Sequence, residues 1–172
     1  LSWDDFSGWY LEIVKPAYGS PADRKTIDAT RHYFDMLMRL IHPFMPFVTE
    51  EIWQDLTPRA KGESIMYAPA PAVEQWDEAL LTRFEFVKEA ITDIRNVRKQ
   101  KNIAQKQPLT LKVIVDENYP ASYAPVIVKM GNISAIETVT EKDPAAAAFI
   151  VKTTQYFVPL GDNIDREAET KR

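Results

Sequence analysis

Apolar residues recur at helical spacing from the first residues of the chain. Trp3, Phe6, Trp9/Tyr10 and Ile13/Val14 share one broad face, which predicts a helix to about residue 17, stopped by Pro16 and then Gly19-Ser20-Pro21. A second helix is predicted over about 21–41, with Ser20 as N-cap, Pro21 in the first helical position and Asp23 in the first turn. Its stripe is Ile27, Phe34, Leu37/Met38 and Ile41. A third helix, about 46–56, carries Phe47, Ile52, Trp53 and Leu56. The pattern then collapses between Pro58 and Gln75, a long connection with a short extended piece at 64–67. The cleanest period follows, over about 77–101: Leu80, Phe84, Val87, Ile91, Ile94 and Arg98, spaced four, three, four, three, four.

After Pro108 the period becomes two, and 109–115 reads as a strand. A helix over about 119–130 turns Tyr123, Val126/Ile127 and Met130 inward, and short strands follow near 133–139, 148–152 and 156–160. The charged stretch from Asp162 to Arg172 reads as a helix cut off early. The expected fold is therefore mainly α: an antiparallel bundle of four helices over residues 1–105, then a small α/β appendage over 106–172 leading into a truncated helical arm.

The stretch from Ile41 to Gln54 sets the geometry of the bundle. Pro43 and Pro46 end one helix and start the next, because each lacks an N–H and fixes φ. Phe44, Met45, Phe47, Ile52 and Trp53 are apolar enough to predict a corner clamped inside a core. Glu50 and Glu51 stand near a helix N-terminus, where negative charge is favoured.

With 172 residues, the chain is long enough to bury a core without a staple, and it has no cysteine for disulfides or thiolate metal sites. No apolar run approaches the length of a membrane span, and the acidic, aromatic start Leu1-Ser2-Trp3-Asp4-Asp5-Phe6 does not resemble a signal peptide. The chain opens without Met and already at helical spacing, which predicts a fragment of something longer. Net charge is −4, yet Arg95, Arg98, Lys99, Lys101 and Lys106 stand in one tract with no acid among them.

No catalytic constellation emerges. His32 and His42 are the only histidines, too few for a zinc site without further ligands; His42, at a helix end before Pro43, is expected to cap backbone carbonyls. The Asp4/Asp5 and Glu50/Glu51 pairs fit helix starts rather than a two-acid site. The basic tract asks for a partner. Lys88, Arg95 and Lys99 share a helix face away from Leu80/Phe84/Val87, and Arg98, Lys101 and Lys106 extend the positive surface into the loop. Such cations neutralise phosphates, and Asn96 and Gln100 have the length to reach base edges of an unstacked loop. The alternative is a solvated last turn, where cations stabilise a helix C-terminus anyway. Trp3, Trp9, Tyr10 and Trp53 offer rings for base stacking, although most are needed for the core.

Several runs resemble one family. The Ile41–Gln54 corner is similar to the helix–turn–helix of the anticodon-binding domain of class I aminoacyl-tRNA synthetases for valine, isoleucine and leucine. Trp9-Tyr10-Leu11-Glu12 with Lys15-Pro16, and Ile94-Arg95-Asn96-Val97-Arg98, tilt the resemblance to the valyl-tRNA synthetases, over nearly the whole chain. Ala104-Gln105 departs from the two adjacent prolines common in similar proteins. The resemblance implies a cytoplasmic parent enzyme that joins valine to its tRNA with ATP and magnesium, and whose helical domain grips an anticodon loop with a middle A and a final C. The class I signatures His-Ile-Gly-His and Lys-Met-Ser-Lys-Ser are absent, so this piece would be inactive alone and hold no cofactor. Its expected partners are valine tRNAs and the catalytic core of the same polypeptide, with no membrane and no DNA. Candidate tRNA-binding residues are Lys15, Lys88, Arg95, Asn96, Arg98, Lys99 and Lys101; no catalytic or metal residue is expected. The competing expectation is a helical docking module without RNA affinity.

Overall fold

A computed structural model describes residues 2–73, 75–142, 144 and 146–159, with the backbone alone at residues 2 and 3. The Asp162–Arg172 stretch, expected to start a helical arm, and the Trp3 side chain lie outside the described residues. The chain forms two compact units, Leu1–Trp76 and Asp77–Arg172.

In the first unit a π-helical segment, Ser2–Tyr10, runs into the α-helical turn α1 (Leu11–Val14), followed by α2 (Arg24–Ile41) and α3 (Pro46–Leu56). Asp23, not Ser20, caps α2: its carboxylate accepts from Thr26 N at 3.0 Å and from the Thr26 hydroxyl at 2.5 Å. A carboxylate that satisfies two donors of one residue outcompetes a serine three positions earlier, and Pro21 stays outside the helix. Pro46 opens α3 as expected.

Leu37, Met38, Trp53 and Ile65 form the core of this unit, with Phe6, Phe34, Ile41 and Ile52 packed against it. Trp53 donates its indole N–H to Asp35 Oδ1 at 2.6 Å, and the Arg59 guanidinium lies 3.4 Å over its ring. Asp35 also pairs with Arg39 at 2.6 Å and Arg59 at 3.3 Å. The expected extended piece at 64–67 is instead a single 3₁₀ turn, Ile65–Tyr67. Glu50 holds it in place, accepting from the Ser64 hydroxyl at 2.6 Å and from Ile65 N at 3.1 Å. The Ser64 and Gln54 hydrogen bonds hold the Glu50 carboxyl below its ordinary pKa.

The corner is only partly clamped in a core: Ile52 and Trp53 join it, but its proline-flanked tip does not. Phe44 is 84% exposed, Phe47 89% and Met45 53%. Thr49 and Trp53, one turn apart, fix the buried face of α3. Phe47 precedes Thr49 by two residues, a rotation of about 200°, and so points away from that face. His42 does not cap carbonyls either: its Nδ1 lies 2.8 Å from the Thr49 hydroxyl. That hydroxyl gives its proton to Met45 O at 2.8 Å, which makes His42 the donor across the corner.

The second unit begins with α4 (Glu78–Gln100), capped by Asp77, whose carboxylate accepts from Leu80 N at 3.0 Å. Then come β1 (Leu109–Ile114), a 3₁₀ turn Ala121–Tyr123, α5 (Ala124–Gly131), β2 (Ile133–Thr138), β3 (Ala146–Val151) and β4 (Thr154–Pro159). They build a four-stranded mixed sheet in the order β2-β1-β4-β3, with β1 and β2 parallel and the other pairs antiparallel. The crossover from β1 to its parallel partner runs through α5. Alternate β1 residues Leu109, Leu111 and Val113 are buried with Ile127, Val151, Tyr156 and Val158.

This overturns the expected mainly α bundle with a small appendage. Helix α4 packs on α5 and β3, so its long stripe serves a mixed α/β core instead of a fourth bundle position. Val87, Ala90, Ile91 and Ile94 are fully buried there, whereas Leu80, expected in the core, is 49% exposed. Asp116, after β1, ties the β3–β4 hairpin down, accepting from the Thr153 and Thr154 hydroxyls at 2.5 and 2.6 Å. These bonds hold its carboxyl below the ordinary pKa. Among the described residues, no helix is long and apolar enough to cross a membrane.

Candidate nucleic-acid interface

The basic tract occupies the C-terminal end of α4 and the loop to β1. One face of the helix buries Ile91, Ile94, Val97 and Arg98, which leaves Arg95, Asn96, Lys99 and Gln100 exposed. The helix ends in a Schellman arrangement: Asn102 takes the left-handed conformation (φ 55°), Ile103 N donates to Arg98 O at 2.8 Å, and Asn102 N to Lys99 O at 3.4 Å. Asparagine tolerates that conformation better than most residues, and Ile103 is buried beneath it. Lys101 and Lys106 follow on either side of this turn. Four cations thus stand close in sequence where the helix dipole already favours positive charge.

Arg98 does not join them. It is 1% exposed, and its terminal nitrogens donate to four backbone carbonyls: Ala104 O (2.9 Å), Gln107 O (2.7 Å), Gly131 O (3.2 Å) and Asn132 O (2.8 Å). Burial lowers its pKa from the ordinary arginine value, though a guanidinium stays charged. A cation enclosed this way cannot offer itself to a phosphate, so its expected phosphate role is corrected to an internal one.

The other expected residues are dispersed. Arg95 is exposed and reaches Met130 O at 3.4 Å; Asn96 donates to Asp93 Oδ1 at 3.5 Å. Lys88 lies two turns back from Arg95 and pairs with Glu85 at 2.9 Å. Lys15 belongs to the first unit, just after α1, with its Nζ 3.6 Å from Glu12. Arg95, Asn96, Lys99 and Lys101 therefore form the cluster that the fold assembles.

The stacking candidates are mostly structural. Trp53 is buried, and the half-buried Tyr10 stacks on Phe6 at 5.4 Å with its hydroxyl 3.2 Å from Thr30. Sequence reasoning missed Asn132, also left-handed (φ 50°), whose side chain donates to Gln105 O at 2.7 Å and fastens the same loop. The Gly131-Asn132 pair at the end of α5 is the available signal, since such pairs end helices.

The chain, with a helical corner in one unit and a helix-end cation cluster in the other, falls in a known class. Residues 1–115 match the family described as "Anticodon-binding domain of tRNA ligase", and the chain belongs to that family. Among similar proteins, the valine–tRNA ligase of Parabacteroides distasonis is 50% identical over 98% of this chain and 19% of its own length. That of Porphyromonas gingivalis is 47% identical over 100% and 19%, and that of Thermotoga maritima 35% over 99% and 20%. The chain thus spans about one fifth of the length of the curated relatives it matches.

Proposed function

We propose that this chain is the part of a valine–tRNA ligase that holds the anticodon stem-loop of valine tRNA. What carries the reading is the near-complete alignment, at up to 50% identity, with valine–tRNA ligases. The cations at the end of α4, Arg95 and Lys99 exposed and Lys101 half-buried, support it chemically. Arg95, Lys99 and Lys101 would neutralise loop phosphates, and Asn96, on the same helix end, would meet base edges. Lys15 and Lys88, each already facing a carboxylate, would contribute general positive potential at most. The attachment of valine, with ATP and magnesium, would take place in the cytoplasm on parts of the parent outside this chain.

Reversing Lys99 and Lys101 to Glu tests the assignment. Binding of a valine anticodon stem-loop should weaken sharply while helicity by circular dichroism is retained. The salt dependence of the remaining binding should flatten by about 1.4, two contacts at about 0.7 each. Unchanged binding would refute the site.

A second reading draws on the corner, where exposed Phe44, Met45 and Phe47 make an apolar surface beside Glu51. Such a patch suits a protein surface better than a phosphate backbone. On this reading the chain docks on the catalytic core of the same polypeptide and has no RNA affinity of its own, which the same titration would reveal as absence of binding.

A further inference from the structure

We infer that Arg98 is a positioning residue for RNA recognition: from inside the fold it locks the 101–107 loop in the shape that sets Lys101 and Lys106 toward a stem-loop. The inference rests on the proposed RNA role of this tract. Its basis is the unusual placement of the guanidinium, buried at the end of α4 and bonded to carbonyls of two separate segments. Ala104 O and Gln107 O belong to the loop; Gly131 O and Asn132 O belong to the end of α5. One planar fork therefore fixes the loop against a second helix terminus, whose carbonyls lack intrahelical partners. Asn132 completes the same clamp: its carbonyl accepts from Arg98 and its amide donates to Gln105 O at 2.7 Å. The loop itself closes a turn through Gln107 N to Ala104 O at 3.0 Å. Without the clamp, the cations would remain in the chain but would have to be ordered anew at each binding event, which costs affinity without removing a contact.

The roles of clamp and phosphate ligand give opposite results for conservative replacement. A lysine keeps the charge but is a point donor that cannot span four carbonyls in a plane. Arg98→Lys and Arg98→Gln in the 172-residue chain should therefore both weaken stem-loop binding about tenfold, the cost of ordering one or two freed side chains. Amide hydrogen exchange should accelerate over residues 101–107. Adding Gln105→Pro to Arg98→Lys should restore most of the affinity, because proline suits the second position of the Ala104–Gln107 turn and stiffens it without Arg98. Should the Arg98 variants fail to fold, Asn132→Gly decides: it keeps the left-handed backbone, removes the bond to Gln105, and should speed exchange of the loop and weaken binding.

Wild-type affinity in Arg98→Lys, or unchanged exchange and affinity in Asn132→Gly, would overturn the clamp while the RNA reading stands. Absence of binding by the wild-type chain would instead refute the RNA reading on which the clamp depends.

Discussion

Replacing Asp35 probes why the corner of the first unit holds together. Its carboxylate accepts the Trp53 indole N–H at 2.6 Å and pairs with Arg39 and Arg59, themselves close to Trp53 and to the connection at Pro69 O. Trp53 is 6% exposed, so Asp35→Ala strands a buried donor, at a cost of about 1–3 kcal/mol. The pairs with Arg39 and Arg59 involve side chains about one fifth exposed and add about 0.5–1 kcal/mol each. The sum is about 3 kcal/mol, a large share of the stability of a unit this size. Asp35→Asn keeps an acceptor for the indole and should lose about 1 kcal/mol. All four tryptophans lie in the first unit, so tryptophan emission during urea unfolding reports on that unit alone. A loss below about 1 kcal/mol for Asp35→Ala, at unchanged m, would refute the claim that this carboxylate organises the corner.

Ile94 is fully buried between α4 and α5, so Ile94→Ala should cost about 3 kcal/mol in a melt followed by far-ultraviolet circular dichroism, and leave the tryptophan transition in place. Asp116 has a lowered pKa in the folded chain, so its contribution is complete above the ordinary carboxyl range and is lost as pH falls through the folded value. Asp116→Asn should accordingly be less stable than wild type at neutral pH, with the difference shrinking as pH drops below about 4 in parallel urea titrations.

Much of the local structure was legible because it follows from short-range rules. Pro46 could only open a helix, and the six-position stripe from Leu80 to Arg98 could only be helical. Periodicity shows that a helix has an apolar face but not what covers it: the stripe of α4 reads as a bundle position, yet its partners are α5 and a sheet. The same stripe held an unread signal: Arg98 sits where an apolar residue belongs, the mark of an arginine turned inward. Phe44 and Phe47 misled in the opposite direction. Hydrophobicity argued for burial, but the rotation between Phe47 and the Thr49–Trp53 face depends on which residues of α3 find the core. Asp23 and Ser20 were both able to cap, and only the neighbouring Thr26 donors separate them.

The measurement that tests the central claim most directly is a titration of the chain with a valine anticodon stem-loop, and with one whose middle A is replaced, at several salt concentrations. Binding that weakens with salt at about 0.7 per phosphate contact, and that falls for the altered loop, is the predicted result. Equal affinity for both loops, or none for either, would contradict the account of an anticodon reader.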